Sequence, residues 1–253
     1  MKVRRLNMKI LLYNWTQFDE KDGGGVTVYL DNIIRELIKD KTNEVYFISS
    51  GSKYNLFRKK TYIKRTKNKY GNKVNSYTIY NSPTMMAGNF FDRIDIFNED
   101  KLLYKILLDF VEKVGPFDVI HFNNLEGLSA EVLKLKGKYP KTKFIYSMHN
   151  YFPICPNGYL WQHNKVNCKD YQMGIKCQNC INSNYNLAKK KMKIKTLLDF
   201  LKIDLNSKII KTLKNRSHLN NSKFDVDIKD EKRAKSSDYK KFRENNVRLI
   251  NKY

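Results

Sequence analysis

Apolar and polar positions alternate between two periods along the chain. Residues 8–14, MKILLYN, form a short apolar run, followed by a polar loop, WTQFDEKDGGG (15–25). From Val26 the period lengthens, and Val26, Leu30, Ile33, Ile34 and Leu37 share one helical face. Strand-like runs return at Glu44–Ser50, Ser76–Tyr80, Asp118–Phe122 and Phe144–Met148. Between the last three lie an amphipathic helix, Leu102 to Val114, stopped by Gly115-Pro116, and a helix through Leu128, Val132 and Leu135 that ends near Pro140. The basic stretch 52–73 reads as a long loop.

Strands that alternate with helices predict an α/β fold with a parallel sheet covered on both faces. Right-handed crossovers favour a doubly wound strand order, 3-2-1-4-5. The winding then reverses between the first and fourth strands, and ligands dock outside the carboxyl ends of strands at such a point. Three loops should meet there: Trp15–Gly25, Asn123–Gly127 and His149–Gly158.

These loops supply the candidate chemistry. Gly23, Gly24 and Gly25 precede a helix start, where the absence of Cβ atoms and the unpaired N–H groups suit phosphate or sugar oxygens. The same residues also suit a tight turn, since neither a dinucleotide glycine spacing nor a P-loop lysine follows. His149 ends its strand at the expected crevice, where an imidazole could donate to a hydroxyl or steady developing charge. Asn150, Asn123 and Glu126 are expected to contact substrate beside it, with turn or capping roles as the alternative. His121, inside its strand, reads as a packed residue.

Cys155, Cys168, Cys177 and Cys180 are separated by twelve, eight and two residues. Such a set could hold a structural zinc ion, with His163 as a substitute ligand, or could be free thiols with a redox pair at 177 and 180.

Charge adds a further element. The chain of 253 residues carries 49 Lys and Arg against 25 Asp and Glu, a formal charge of +24. That favours polyanionic partners, although a compositional bias toward Lys, Asn, Ile and Tyr would produce part of it. Residues 188–214 place Ile194, Leu197, Leu198, Leu201, Leu205 and Ile209 at helical spacing with lysines around them. This reads either as an ordinary core-facing helix or as a surface for anionic lipid. Nucleic acid is disfavoured, because no stacking aromatics interleave with those lysines. A polar segment, 222–238, precedes a last helix, Asp238–Lys252, with Phe242, Val247 and Ile250 expected inward. The short apolar run Ile10–Tyr13 is no signal core, so a cytoplasmic location is expected, with peripheral attachment at the inner membrane face.

Several stretches together resemble the acceptor-side domain of retaining glycosyltransferases of family four, which have the GT-B fold. They are MKILLYN…GGGVTVYLDNIIREL, FDVIHFNNLEGLS, YSMHNYFPICPNGYLW with the trailing cysteines and, more loosely, DYKKFRENNVRLINKY. The resemblance implies a Rossmann-like domain over 8–182, followed by a basic helical segment, 183–253. It implies that His149 contacts the transferred sugar, that Gly23 to Gly25 approach the diphosphate or acceptor, and that catalysis needs no metal, leaving the cysteines structural. Many relatives carry aspartate where this chain has Asn150. The family's paired-glutamate site is absent: Glu36 and Glu44 have the interval but ride the wrong elements. The chain is shorter than a full enzyme by roughly one domain of 100–200 residues. The expectation is therefore an acceptor-side half, inactive alone, acting on a sugar or lipid-linked acceptor. A nucleotide-sugar would be co-substrate if a separately encoded donor domain joined it. Surface polysaccharide or glycolipid synthesis is the implied setting. The competing expectation is a non-catalytic basic module for anionic lipid or another polyanion.

Overall fold

The computed structural model describes residues 7–20, 24–201 and 233–253. Its centre is a six-stranded sheet. In chain order the strands are β1 (Lys9–Asn14), β2 (Glu44–Ser50), β3 (Tyr62–Arg65), β4 (Val74–Tyr80), β5 (Val119–Phe122) and β6 (Lys143–Tyr146). The spatial order is β3-β4-β2-β1-β5-β6, parallel throughout except for β3 against β4. The five parallel strands reproduce the doubly wound order expected from the sequence, and the architecture is compatible with a Rossmann-like unit. The antiparallel edge strand β3 corrects the reading of 52–73 as loop throughout.

Side-chain alternation on β1 explains the two-sided burial. Leu11 and Tyr13 enter the larger core, whereas Ile10 and Leu12 enter a second core on the opposite face. The second face is covered by α1 (Gly24–Leu37) through Leu30 and Ile34. The first is covered by α2 (Ile94–Glu99), by α3 (Leu102–Val114) through Leu103, Leu107, Phe110 and Val111, and by the turns at 130–134 and 172–177. The helix expected over 128–135 is a 3-10 turn, Ala130–Lys134, followed by one α-turn, α4 (Leu135–Lys138).

Two further helices complete the chain, α5 (Tyr185–Phe200) and α6 (Ser236–Lys252). Helix α6 buries Tyr239, Phe242, Asn246 and Leu249, while Val247 is exposed. The inward expectation for Val247 was one position out of register. Asn246 takes the inward place with its amide nitrogen donating to the Pro153 carbonyl at 3.0 Å, while its Oδ1 is buried with no hydrogen-bond partner among the described residues. Phe242 meets Phe97 and Phe152 edge-on, with centroids 4.8 and 5.7 Å away. Helix α6 thus belongs to the same core as residues before 182. Of the basic run 188–214, α5 holds the first half. Leu205, Ile209 and all of 202–232 lie outside the described residues, as does Gly23.

Candidate functional site

The segments leaving β1, β5 and β6 meet at the carboxyl edge of the sheet. Tyr13 donates its hydroxyl to the Glu126 carbonyl, and Asn124 donates its amide to Asn14. The loop after β1 is then held down by Gln17. Its amide donates to Thr78 Oγ1 at 2.6 Å, and its carbonyl accepts from Ser76 Oγ at 2.9 Å. Ser49, Ser76 and Thr78 are hydroxyls inside a parallel sheet, and Gln17 is what satisfies them.

Glu126 is the joint of the edge. One carboxylate oxygen accepts from the Ala87 N–H at 2.7 Å and the other from the Asn150 amide. Asn150 in turn accepts from the Phe152 N–H at 3.0 Å. Gly88 N–H donates to the Pro156 carbonyl and Tyr151 N–H to the Gly158 carbonyl, both at 2.9 Å. Together with the buried ring of Phe152, these bonds seat 149–158 as a rigid wall. Burial pushes the Glu126 carboxyl above its ordinary range, and its two donors offset part of that rise.

His149 stands at the open side of this wall. Its exposed ring meets Tyr29 of α1 at 4.9 Å between centroids, tilted by 63°. Strand parity explains the meeting. His121 pairs with Leu12 in register, so it faces the α1 side of the sheet. His121 Nε2 is 2.8 Å from Ser147 Oγ. Burial, then the nearby charge of His149, hold the His121 imidazole below the usual histidine range. Ser147 and His149 continue the α1-facing parity of Ile145 beyond β6. An open groove on the outer side of α1, lined by Tyr29, Asn32, Ile33, Glu36, Leu37 and Asn43, begins at Tyr29.

The expected site residues therefore divide. His149 is exposed at the carboxyl edge beside α1. Gly24 and Gly25 open α1, Gly24 with φ +64°, and a Cβ on either would meet nothing within 4 Å. Asn123 and Glu126 differ from the expectation of direct substrate contact. Asn123 is wholly buried and donates to the Tyr13 carbonyl at 3.1 Å, while both Glu126 oxygens are committed to the chain's own donors. These two, with Asn150, build the wall that carries His149. Sequence reasoning did not identify Tyr29, Ser147 or Gln17. Tyr29 gave one signal, an aromatic on the polar side of an amphipathic helix.

The cysteines gather in one knuckle. Cys168 N–H donates to the Leu160 carbonyl at 2.6 Å, the Cys180 thiol lies 3.7 Å from the Trp161 carbonyl, and His163 N–H donates to Cys180 Sγ at 3.4 Å. Among the described residues, however, no group of three or more His, Cys, Asp or Glu side chains is placed to hold a metal ion. Zinc at these cysteines stays an expectation from their spacing, and burial favours the protonated thiol at Cys168, Cys177 and Cys180. Burial, then Cys155 nearby, pushes Cys177 up to about 12, and Cys168 and Cys180 are raised by burial as well. At pH 8 Cys177 then carries roughly a thousandfold less thiolate than an ordinary cysteine. We expect iodoacetamide to label Cys177 last in the folded protein, with a chelator changing nothing. Equal labelling of all four would refute this, and labelling released by chelator would restore zinc.

No protein-family model matches the chain, and no curated protein matches it.

Proposed function

We propose that the chain is the acceptor-side domain of a retaining, GT-B-type sugar transferase of the family-four kind, acting with a nucleotide-sugar in surface polysaccharide or glycolipid synthesis. One observation carries the reading: the segments after β1, β5 and β6 are bolted together at the carboxyl edge, and His149 is presented there, exposed, against Tyr29. That edge is where open α/β sheets take ligands. An exposed imidazole beside an aromatic ring suits a sugar, with the ring under its apolar face and a nitrogen toward a hydroxyl. The groove running on from Tyr29 would take the apolar part of a lipid-linked acceptor. Gly24 and Gly25 leave room at the start of α1 for the diphosphate or acceptor. The donor's nucleotide would be held by a second domain. Peripheral work at the cytoplasmic membrane face fits this reading, and no described helix is long and apolar enough to cross a membrane.

The test is saturation-transfer NMR on the whole chain with a panel of monosaccharides, disaccharides and nucleotide-sugars. At least one saccharide should receive transfer, and His149→Ala should abolish it with unchanged thermal unfolding. Absence of transfer across the panel, or transfer indifferent to the substitution, would remove the sugar-handling site.

A further inference from the structure

A histidine inside a parallel sheet is costly unless its ring nitrogens find partners. His121 occupies such a place. It sits on β5 in register with Leu12 of β1 and Ile145 of β6, and only 7% of it is exposed. Pairing on both sides fixes where its ring stands. Its Nε2 lies 2.8 Å from Ser147 Oγ, and among the described residues that hydroxyl makes no other hydrogen bond. Ser147 is the first residue beyond β6. Its N–H donates to the Phe122 carbonyl at 2.8 Å, which ties it to the strand that carries His121.

The setting differs from that of a buried structural bond. The other bonded hydroxyls of the sheet, Ser49, Ser76 and Thr78, are closed inside the fold, whereas Ser147 is half-buried. It stands beside the exposed residues Met148 and His149, at the edge where open α/β sheets take ligands. Burial and the charge of His149 both favour the neutral form of the His121 ring, and a neutral imidazole is free to take a proton. With the ring proton on Nδ1, Nε2 accepts from the Ser147 O–H. A hydroxyl bonded to a neutral base at about 2.6–3.2 Å is the arrangement that activates a serine nucleophile.

We propose that Ser147 and His121 form a nucleophile–base pair that cleaves small acyl esters. In the first step Ser147 Oγ bonds to the ester carbonyl carbon, and its proton passes to His121 Nε2. The bond from that carbon to the alcohol oxygen then breaks, and the departing alcohol takes the proton from His121. Water next adds to the acyl carbon and gives a proton to His121, after which Oγ leaves and recovers that proton. The products are a carboxylic acid and an alcohol, and nothing is oxidised or reduced. His149, whose charge reaches His121, is the donor at hand for the carbonyl oxygen as it gains charge. The pair goes beyond the sugar-transfer reading and does not depend on it.

The experiment treats the full chain with a fluorophosphonate probe and locates the labelled residue by peptide mass. Ser147 Oγ should bond to phosphorus as fluoride leaves, its proton going to His121. Ser147→Ala should abolish the labelling, together with hydrolysis of p-nitrophenyl acetate. His121→Gln keeps a hydrogen-bonding side chain but no base, and should slow labelling about a hundredfold. Circular dichroism confirms folding of each variant. The wild-type labelling rate against pH gives a readout that a structural bond would not. The base acts unprotonated, and His121 loses its proton below the usual histidine range, so the rate should be level from about pH 7 upward and fall only in acid. Absence of label on Ser147 would overturn the proposal. So would labelling indifferent to His121→Gln, a rate that keeps climbing in alkali, or ester hydrolysis that survives Ser147→Ala.

Discussion

Gly127→Ala should cost the protein on the order of 4 kcal/mol or leave it unfolded, a large part of the roughly 5–15 kcal/mol typical of a folded domain. Gly127 has φ +73°, where an L side chain is strained by about 1–2 kcal/mol. The larger cost is steric. A Cβ here would stand inside the van der Waals shell of the Ser50 carbonyl oxygen, at the end of β2. Gly51 makes the complementary approach, since its own Cβ would meet Gly127 Cα at 2.6 Å. Two backbones touch at this point because neither residue has a side chain; Gly51 directly follows β2, and Gly127 lies in the segment after β5. The internal comparison is Gly25→Ala in the first turn of α1. It has open space and no positive φ, so it should stabilise by up to about 1 kcal/mol. Urea unfolding of both variants checks the pair, and a Gly127→Ala protein within 1 kcal/mol of wild type would contradict the packing described.

Asn150→Asp should destabilise this chain by about 3 kcal/mol at pH 8 and by distinctly less at pH 5. The Asn150 amide donates to Glu126, a buried carboxyl that burial already raises above its ordinary range. Aspartate would remove the donor and set a second carboxylate against the first. The sign with pH follows from linkage. Glu126 binds its proton more tightly when folded, so its contribution is fullest below its unfolded value near 4.5 and is lost as pH rises through the folded value. A second carboxyl raises the folded values further, and a shared proton relieves the repulsion at low pH. Chemical denaturation at pH 5 and 8 measures the difference. Equal penalties at the two pH values would show that repulsion is not the cause.

Sequence pattern revealed the sheet because its strands are buried on both faces and bounded by polar breaks, as in KILLYN and EVYFISS. The strand order followed from connection rules. Strand β3 stayed hidden because YIKR is a short, half-exposed edge strand paired with β4. Helix α6 was placed, but its inward register was not, because a buried asparagine takes the place that a hydrophobic pattern assigns to valine. At the site, His149 was legible from its position after an apolar run. The burial of Asn123 and Glu126 was not. Their side chains answer donors from Ala87 and Asn150 and an acceptor on Tyr13, partners that no local spacing reveals. Tyr29 lay on the side of its helix that pattern reading assigns to water.

A single carboxyl group clasps the turn after β4 and the wall after β6, and its backbone carbonyl holds the tyrosine at the end of β1. The rim of the crevice therefore behaves as one plate rather than three flaps. On the proposed reading, selectivity would reside in the exposed side chains that stand on that plate, Met148, His149, Tyr151 and Tyr29.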